Sequence, residues 1–333
     1  MTGFRVDTGP GRDRPEGPAG RRVFVVAHTG RPAALAVAEE LFQLLVEAGM
    51  TPVVLPSEVG GLTAPCRQVL ELADPADPLD HCELVVVLGG DGTILRASEI
   101  VRGTHVPLLG VNLGHVGFLA ESERDDLAFT VQRIAERRYE VEERMTLDVT
   151  VELDGKVLAQ MWAVNEASVE KANRERMIEV VLEVDGRPVT EFGCDGVILA
   201  TPTGSTAYAF SAGGPVVWPE VEALLLVPLS AHALFARPLV VAPNSVPAVE
   251  VVPGTPGRAV LWCDGRRSSP LPPGARVEVR RSDVPIRLAR LARPPFTDRL
   301  VAKFGLPVHG WRGQAKRAAE DAAVRVHGHH TDG

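Results

Sequence analysis

The stretch "ELVVVLGGDGTILRAS", residues 83–98, decides the fold expected for this chain. Residues 84–88 form an unbroken apolar run, which is typical of a strand buried on both faces of a parallel sheet. Apolar residues at helical spacing follow from Ile94 onward, and Thr93 is the predicted N-cap of that helix. The order strand, turn, helix predicts an α/β unit whose turn aims backbone N–H groups and the positive end of a helix dipole at one point.

Residues 89–93, here called the glycine turn, suit an anion such as phosphate, because glycine lets the backbone approach a ligand closely. The turn lacks the Lys-Ser/Thr ending of a P-loop and the spacing of a dinucleotide-binding fingerprint. Asp91 would repel a phosphate unless a cation lies between them, or unless it takes a proton from the attacking nucleophile. An ordinary Asp-Gly turn without chemistry is the alternative that this segment leaves open.

The length and composition of the chain limit the classes of function that it can have. The chain has 333 residues, of which 45% are hydrophobic, so two domains with real cores are expected. A net charge of -8 argues against a nucleic-acid partner or an anionic membrane surface. The four cysteines are scattered without a C-x-x-C pair, which predicts neither a zinc site nor disulfides and favours the cytoplasm. The apolar stretch 224–241 is interrupted by proline, histidine and arginine, so no membrane span is predicted.

The first part of the chain predicts a Rossmann-like open sheet. Residues 1–20 are rich in Gly, Pro and Arg and are expected to be a disordered lead. A strand, a helix over residues 34–48 and a second strand, "TPVVLP", form one βαβ unit. With the strands at 84–88 and 106–112, residues 21–125 are predicted to form a doubly wound α/β domain that binds ligands beyond its strand C-termini.

The second part predicts a mainly β domain. Short alternating segments follow from about Tyr139, among them "LDVTVEL", "MIEVVLEVDG", "RVEVRRS" and "PIRLARL". Alternation separated by turn residues is typical of antiparallel strands, so residues 126–293 are assigned to a C-terminal β-sandwich-like domain. Residues 313–333, which end in "HGHHTDG", are predicted to be a flexible tail.

Two shorter segments carry candidate site residues. "NLGHVGFLAE", residues 112–121, follows a predicted strand, and Phe118 either anchors this loop in the core or contacts a base. "NEASVEK", residues 165–171, places Asn165 beside Glu166, a pair that can chelate the two hydroxyls of a sugar. Taken alone, a solvated turn is the favoured interpretation of this second segment.

The most unusual segment is "CDGVILATPTGSTAYAFSAGGPVVWP", residues 194–219. Glycines and small hydroxylated residues follow an apolar run, which indicates a backbone-rich binding loop with Tyr208 available to stack or hydrogen-bond. A plain strand and turn would not explain the clustered hydroxyl residues, which are Thr201, Thr203, Ser205 and Thr206.

Taken in order, "GGDGT", "NLGHVGFL", "NEASVEK", "DGVILATPTGSTAYAFSAGGP" and "LWCDGR" look like the signature set of the NAD kinases. The chain resembles that family from about Arg21 to about Arg312, in an actinobacterial style. The GGDGT turn alone is weakly specific, because phosphofructokinases and diacylglycerol or sphingosine kinases carry similar turns. The TPTGSTAY segment is highly specific.

The resemblance implies a fold of the NAD kinase/diacylglycerol kinase type, with a final segment, about 294–312, that returns to pack on the first domain. It implies transfer of the ATP γ-phosphoryl group to the 2′-hydroxyl of the adenosine ribose of NAD, giving NADP. Inorganic polyphosphate stays open as a donor. A divalent cation, with Mg²⁺ expected, and a homodimer or homotetramer whose NAD sites are completed by a neighbouring subunit are also implied.

The resemblance assigns roles by position. Asp91 would accept the proton of the 2′-hydroxyl, Phe118 would lie beside adenine, and Asn165 and Glu166 would hold ribose hydroxyls. The phosphate-facing residues would be Gly89, Gly90, Gly92 and Thr93. The implied NAD contacts are Asp91, Gly92, Arg96, Phe118, Asn165, Glu166, Arg176, Gly193, Asp195, Thr206, Ala207, Tyr208, Ala209, Phe210 and Ser211. Some relatives have arginine at the position of Gly193, which leaves the preference for NAD over NADH open, and His232 matches a recurrent family histidine without an assigned role.

Two alternatives belong to other functional classes. A lipid or sphingoid-base kinase could share the GGDGT turn, but it would not need the TPTGSTAY loop, and the sequence has no amphipathic basic helix for membrane docking. A non-catalytic NAD-binding regulatory module could lose its proton acceptor freely, whereas Asp91 lies inside an intact turn. An enzyme is therefore the favoured interpretation.

Overall fold

The structure is a computed structural model that describes most of the chain. The described residues are 20–27, 32–114, 117–120, 122–123, 126–173, 176–234, 236–255, 257–292 and 295–308. The predicted disordered lead, apart from Gly20, and the predicted flexible tail lie outside the described residues.

The strands lie along the whole described chain. The first ten are β1 Arg21–Ala27, β2 Met50–Val54, β3 Glu71–Leu72, β4 Cys82–Leu88, β5 Leu108–Asn112, β6 Ser122–Glu123, β7 Glu140–Arg144, β8 Leu147–Leu153, β9 Lys156–Ala163 and β10 Glu166–Lys171. The next ten are β11 Ile178–Val184, β12 Arg187–Cys194, β13 Gly196–Ala200, β14 Leu224–Leu229, β15 Leu239–Val241, β16 Pro247–Val251, β17 Ala259–Cys263, β18 Arg267–Leu271, β19 Arg276–Arg281 and β20 Ile286–Arg290.

The α-helices fall mainly in the first half of the chain. They are α1 Pro32–Glu47, α2 Ala64–Val69, α3 Asp91–Val101, α4 Leu127–Ala135, α5 Tyr208–Ser211 and α6 Phe296–Phe304. Short 3-10 helices occupy Pro56–Glu58 and Thr203–Thr206. Within the described ranges, each helix is too short or too polar to cross a lipid bilayer.

The first sheet has the strand order β3-β2-β1-β4-β5-β20-β7, with β6 paired to β5. Its pairs are parallel except for β20 with β7. One face packs against α1 and α4, and the other packs against α3. The strands are therefore buried on both faces, as the apolar run at 84–88 predicts, and the open α/β sheet is confirmed.

Two strands that are predicted to belong to the β-rich domain belong instead to the first sheet. Residues 126–293 are predicted to form the β-rich domain, but β7 and β20 pair with each other and join the first sheet through β5. Ile286 and Leu288 of β20 pack in the same core cluster as Ile94 of α3. An alternating pattern identifies a strand without identifying its partner, so the assignment of these two strands from their alternation was wrong.

The rest of the chain forms a sandwich of two six-stranded sheets, with orders β15-β14-β13-β10-β17-β18 and β12-β11-β16-β19-β8-β9. Apolar side chains from both sheets, such as Val149 of β8 and Val169 of β10, share one buried cluster. Every pair in the two sheets is antiparallel. The prediction of a β-sandwich-like second region is confirmed.

The start of α3 differs from the prediction. Gly90, with extended backbone, is the N-cap, and Thr93 lies inside the first turn with its N–H donated to the Gly90 carbonyl at 2.9 Å. Gly89 has φ 156°, which L side chains rarely adopt, so the chain turns into the helix directly after β4. Thr93 as N-cap was therefore wrong, because the glycines let the helix begin earlier than a side-chain cap would.

Candidate active site

The glycine turn lies at the carboxyl edge of the first sheet. β1 ends at Ala27, β4 at Leu88 and β5 at Asn112, and these strands are parallel neighbours. The N–H of Gly89 donates to the carbonyl of Val111 at 2.9 Å, which ties the turn to β5. Ligands of doubly wound sheets bind beyond this edge, so the turn is placed where a substrate would be expected.

Asp91 is held by two backbone amides. The N–H of Phe118 donates to its Oδ2 and the N–H of Leu119 to its Oδ1, each at 3.1 Å. A Cβ on Gly117 would lie 2.4 Å from Asp91 Oδ1, so this approach requires glycine. The loop 117–120, here called the Phe118 loop, thus fixes the carboxylate at the N-terminus of α3.

The rest of the glycine turn is open. A Cβ built on Gly90 or Gly92 would meet no atom within 4 Å, whereas a Cβ on Gly89 would lie 2.4 Å from Thr93 Oγ1. Thr93 therefore packs against the backbone of Gly89. The amides in the first turn of a helix have no intrahelical partner, so the open side of Asp91 and Gly92 suits phosphate oxygens.

Phe118 is buried and contacts α6. Its ring centroid lies 5.7 Å from that of Phe296 and 5.9 Å from that of Phe304. Phe304 lies 4.3 Å from Phe210, on the loop that carries Tyr208. In the described residues Phe118 acts as a core anchor, and its contact with adenine stays a prediction. The helix α6 joins the Phe118 loop to the loop of residues 201–211.

Asn165 and Glu166 form a buried corner that leads into β10. Both residues are 7% exposed, so the solvated turn expected from the segment alone was wrong. The physical reason is that other backbone groups enclose the corner. The carbonyl of Asn165 accepts the N–H of Thr201 at 2.9 Å, and a Cβ on Gly204 would lie only 2.0 Å from it.

Glu166 carries the most perturbed carboxyl of the site. Burial and the neighbouring Asp264 carboxylate raise the pKa of Glu166 to about 8, against a smaller opposite effect of the Tyr208 backbone amide. Its Oε2 is buried and has no hydrogen-bond partner among the described residues. Buried acceptors are normally satisfied, so a ligand with hydroxyl donors would complete this group.

Asp264 is a site residue that sequence reasoning missed. Its side chain is 1% exposed and pairs with Arg267 at 2.7 Å. Its oxygens accept the N–H groups of Val164 and Asn165 at 2.7 to 3.0 Å, so Asp264 holds the Asn165–Glu166 corner in place. The only sequence signal was its place in "LWCDGR", where an aspartate before glycine looks like an ordinary turn residue.

A pocket of about 330 Å³ opens beside this corner. Its lining residues are Glu166, Ser168, Glu170, Tyr208, Trp262, Asp264 and Gly265. Tyr208 Oη lies 3.4 Å from Glu170 Oε2. The structure thus brings together Glu166 and Tyr208, which the sequence analysis singled out, and adds Ser168, Glu170 and Trp262.

Two hydroxyl groups of the loop 201–211, those of Thr201 and Ser205, bond to backbone groups of the loop and of its neighbours. Thr201 Oγ1 donates to the carbonyl of Val164 at 2.6 Å and accepts the N–H of Gly204 at 3.1 Å. Ser205 Oγ donates to the carbonyl of Pro202 at 2.6 Å and accepts the N–H of Val217 at 2.9 Å. The clustered hydroxyl residues therefore shape the loop. In the predicted NAD-contacting run, Ala209 is fully buried, whereas Tyr208, Phe210 and Ser211 are exposed.

The remaining predicted contacts fall in two places. Arg96 donates to the carbonyl of Ala27 at 2.8 Å and to Glu58 Oε1 at 2.9 Å, so it lies at the carboxyl edge of the sheet with Asp91. Burial raises the pKa of Glu58, and Arg96 opposes this. Asp195 pairs with Lys171 at 2.5 Å, at the far end of β10 from Glu166.

Gly193 and Arg176 lie at the end of the β11–β12 hairpin. The carbonyl of Gly193 accepts the N–H of His232 at 2.8 Å, and a Cβ on Gly193 would only touch Met177 at 3.6 Å. Arg176 is exposed just before β11, whose first pair is Ile178 with Cys194. The described contacts place these residues with the sandwich and do not join them to the glycine turn.

Helix α3 connects the glycine turn to the buried corner. Val164 packs in one cluster with Ile94 and Leu95 of α3. Glu99 of the same helix accepts from Arg266 at 3.0 Å and lies 3.4 Å from Arg267, the partner of Asp264. One continuous set of contacts therefore supports both Asp91 and Glu166, although Asp91 lies at the edge of the first sheet and Glu166 begins a strand of the sandwich.

The described residues contain no cluster of three or more His, Cys, Asp and Glu side chains suited to a metal ion. Mg²⁺ in phosphoryl-transfer sites is often held by the substrate phosphates with one or two protein carboxylates. Asp91, in the glycine turn, would supply one such carboxylate. The donor set therefore fits a cation that arrives with phosphate rather than one held by the protein alone.

Comparisons with known proteins follow the two-part fold. The family model described as the ATP-NAD kinase N-terminal domain matches residues 23–139, and that of the ATP-NAD kinase C-terminal domain matches residues 164–291. NAD kinase 2 of Streptomyces coelicolor is 64% identical over 295 residues, covering 88% of this chain and 97% of the relative. NAD kinase of Thermobifida fusca is 59% identical, covering 93% of this chain and 98% of the relative.

Two solved structures share the fold. Yeast NADH kinase complexed with NADH superposes with a TM-score of 0.79 at 24% identity, covering 89% of this chain and 90% of the other. An NAD kinase from Archaeoglobus fulgidus in complex with ATP gives a TM-score of 0.63 at 27% identity, covering 85% of this chain and 97% of the other. Both domain models match, and the relatives of nearly equal length are themselves NAD kinases, so the chain belongs to the NAD kinase family.

Proposed function

We propose that this protein transfers the γ-phosphoryl group of ATP to the 2′-hydroxyl of the adenosine ribose of NAD, giving NADP and ADP. The observation that carries the proposal is the fixed carboxylate of Asp91 inside an open, glycine-lined helix N-terminus. A base and an anion site at one turn are the two protein parts that phosphoryl transfer to a hydroxyl needs.

Asp91 would accept the proton of the 2′-hydroxyl as its oxygen attacks the γ-phosphorus and the bond to the β–γ bridging oxygen breaks. The amides of Phe118 and Leu119 hold the carboxylate in place. The open amides of the glycine turn, with Gly89, Gly90, Gly92 and Thr93, would face the donor phosphates. Catalysis would then consist mainly of positioning and charge stabilisation.

Glu166 and Asn165 would hold ribose hydroxyls. The buried Oε2 of Glu166 needs a donor, and a ribose hydroxyl supplies one without bringing charge. Asp264 would act as a positioning residue, because it holds the backbone of the corner rather than the ligand. Tyr208 would border the same ligand from the pocket wall.

The other predicted contacts with NAD extend this proposal. Arg96 at the sheet edge and Phe118 beside the glycine turn would face the adenosine half. Further contacts with NAD would come from residues of the sandwich, which are Arg176, Gly193, Asp195, Thr206, Ala207, Ala209, Phe210 and Ser211. Ala209 could do so only through its backbone, because its side chain is fully buried.

A divalent cation, with Mg²⁺ as the expected ion, would arrive on the donor phosphates and neutralise their charge next to Asp91. Polyphosphate is a second donor to test, because an open helix N-terminus recognises phosphate oxygens rather than a base. A homodimer or homotetramer is also proposed, on the resemblance alone. The cytoplasm is the proposed location, which suits the unpaired, buried cysteines, with burial raising the thiol pKa of Cys194 and Cys263 to about 12.

The proposal is tested by a coupled assay for NADP with purified protein, Mg²⁺ and either ATP or polyphosphate. NADH, diacylglycerol and sphingosine are offered as alternative acceptors in parallel reactions. We expect NADP to form from NAD and ATP. Phosphorylation of a lipid without NADP would identify a lipid kinase, and tight binding of NAD without any turnover would identify a regulatory module.

A further inference from the structure

A second pocket lies on the other side of the Phe118 loop, between the edge strand β7, the end of β20 and helix α6. Its volume is about 400 Å³, within the range of small-molecule sites. Three arginine side chains line it, which are Arg144, Arg290 and Arg299. None of these residues has a part in the proposed phosphoryl transfer.

Arg144 is the buried centre of this arginine pocket. The residue is 6% exposed, and its Nη2 pairs with Glu142 at 2.8 Å. Its Nε is buried and has no hydrogen-bond partner among the described residues. A buried guanidinium donor that lines a pocket indicates a ligand with acceptor oxygens.

The charges around Arg144 point the same way. Both oxygens of Glu142 are used, one by Arg144 and the other by Arg290 Nε at 2.8 Å. Burial lowers the pKa of Arg144 to about 10; Glu142 and Glu220 oppose this effect, and Arg290 and Arg299 add to it. The carboxylates that share the pocket wall, Glu140 and Glu220, are exposed at its rim. An anion in the pocket would therefore meet the guanidinium groups of Arg144, Arg290 and Arg299.

We propose that the arginine pocket is a binding site for a compact anionic metabolite, one that carries carboxylate or phosphate oxygens on a planar or apolar body. The guanidinium groups would bind the anionic oxygens, since the planar fork of arginine matches both groups. The rings of Phe118 and Phe296 form an apolar wall beside them and would cover the body of the ligand.

The pocket is connected to Asp91 by one peptide unit. Arg299 Nη1 donates to the carbonyl of Phe118 at 3.0 Å and to that of Ala120 at 3.2 Å. The N–H of Leu119, which shares a peptide unit with the Phe118 carbonyl, donates to Asp91 Oδ1 at 3.1 Å. An anion that draws Arg299 toward the pocket would change its hold on the Phe118 loop, so occupancy of the pocket should alter turnover and not only stability.

Calorimetric titration tests the site with two probes, phthalate as a planar dianion and inorganic phosphate as a dianion without a body. We expect saturable binding of phthalate that is tighter than binding of phosphate. Arg144→Gln should weaken phthalate roughly ten- to a hundredfold, as expected for loss of a charge-assisted contact. Because binding is measured without turnover, this result is independent of the proposed kinase activity.

A second variant covers the risk that Arg144→Gln fails to fold. Val141 is exposed and lines the pocket, so Val141→Glu adds a negative charge there without disturbing the core. The matched control is Val157→Glu, an exposed valine on β9 outside the pocket. Phthalate should bind weakly to Val141→Glu and normally to Val157→Glu. Equal binding by both variants, or no saturable binding by the unchanged protein, would overturn the site.

The connection to Asp91 has its own readout. The rate of NADP formation is measured at saturating NAD and ATP with increasing phthalate, which removes simple competition at the substrate sites. A change in rate that Val141→Glu abolishes and Val157→Glu retains is the expected result. An unchanged rate at saturating phthalate would overturn the proposed coupling between the pocket and Asp91. Phosphate binding as tight as that of phthalate would overturn the inference that the ligand has a planar or apolar body.

Discussion

At Glu166 a carboxyl group is buried beside a second one, Asp264, and one of its oxygens has no described hydrogen-bond partner. Burial of an unsatisfied acceptor is unfavourable for the folded protein alone. The arrangement becomes favourable once hydroxyl donors enter the pocket. Stability and ligand binding therefore oppose each other at this residue, as is common at functional sites.

The first prediction concerns the pH dependence of stability. The pKa of Glu166 is about 8 in the folded protein, above its ordinary value of 4.5. Between these values the unfolded chain releases a proton that the folded protein keeps, so stability falls as pH rises through this window. Glu166→Gln removes the effect, and at pH 9 it should increase the free energy of unfolding by roughly 2 to 5 kcal/mol.

Urea unfolding at pH 5, 7 and 9 measures this difference. The matched control is Glu222→Gln, an exposed glutamate on the sandwich that should keep the pH dependence of the unchanged protein. Parallel pH profiles for the unchanged protein and Glu166→Gln would show that Glu166 ionises normally in the folded state.

The second prediction concerns NAD binding. Ribose hydroxyls that donate to Glu166 stabilise its charged form and lower its pKa, so binding at a pH below 8 and above the lowered pKa should release up to about one proton. Glu166→Gln should release none and should bind NAD roughly ten- to a hundredfold more weakly. Calorimetry in two buffers of different ionisation enthalpy measures both quantities. Proton release that survives in the variant would assign it to another group.

Residue types were easier to predict from sequence than their surroundings. The pairing of Asn165 with Glu166 suggested sugar hydroxyls, and the structure adds a reason, the unsatisfied buried oxygen. The burial itself could not be predicted, because it comes from Thr201, Gly204 and Asp264, which are distant in sequence. Asp264 was missed for the same reason, since its acceptor role depends on the contact with residues 164 and 165.

At the scale of the element, the glycine turn shows which glycines serve the fold and which leave room for a ligand. Gly89 has positive φ and packs against Thr93, so its lack of a side chain is structural. Gly92 lies inside the first turn of α3 with open space where a Cβ would be. The fold does not require glycine there, and the open space would admit a phosphate at the turn.

The third prediction follows for Gly92→Ala. Alanine in a helix is favoured over glycine by about 0.5 to 1 kcal/mol, so the variant should be as stable or slightly more stable. Its methyl group would displace a phosphate at the turn, and the rate of NADP formation should fall roughly ten- to a hundredfold. Thermal melting and steady-state kinetics provide the two readouts.

Gly254→Ala is the matched control, because a Cβ there also meets no atom within 4 Å and the position lies in the sandwich, between β16 and β17. It should retain activity. An active Gly92→Ala would mean that no phosphate approaches this turn closely, whereas an unfolded Gly92→Ala would mean that the open space does not exist.

The elements of the first sheet were predicted well where the pattern was local. The apolar run before the glycine turn identified β4, and α1 and β5 were expected within a few residues of their observed positions. Pairing was not local. β20 alternates as an antiparallel strand should, and only its contacts with β5 and β7 show that it belongs to the first sheet.

On the scale of the whole molecule, α3 and its partners hold the two parts of the site together. Trp162 is stacked between the guanidinium groups of Arg102 and Arg267, each 4.2 Å from the ring centroid. Arg102 follows α3, and Arg267 pairs with Asp264 beside the buried corner. The position of the Asn165–Glu166 corner relative to α3 therefore depends on these charged contacts as well as on the apolar cluster around Val164.

The fourth prediction tests this connection. Arg267 is 24% exposed, and its loss would leave the buried Asp264 without its charged partner. Arg267→Gln should destabilise the protein by about 2 to 4 kcal/mol, below the 3 to 5 kcal/mol typical of a fully buried pair. It should also raise the KM for NAD, because Asp264 holds the Asn165–Glu166 corner. Urea unfolding and kinetics measure the two effects.

Arg280→Gln, which removes an exposed arginine on β19, is the control and should change stability by less than about 0.5 kcal/mol. Equal effects of the two substitutions would show that the stack around Trp162 does not position the site.

The central claim is that Asp91 takes the proton of the attacking hydroxyl, and single-turnover conversion of NAD to NADP by Asp91→Asn at saturating ATP and Mg²⁺ tests it most directly. Asparagine can accept only one of the two amides that Asp91 accepts, so a loss of stability of about 1 to 3 kcal/mol is expected, which a thermal melt would register. The control is Asp154→Asn, in an exposed Asp-Gly turn of the sandwich. We predict a folded Asp91→Asn whose chemical step is about 10² to 10⁴ slower, with NAD binding nearly unchanged. A folded variant that makes NADP at close to the unchanged rate would contradict the account.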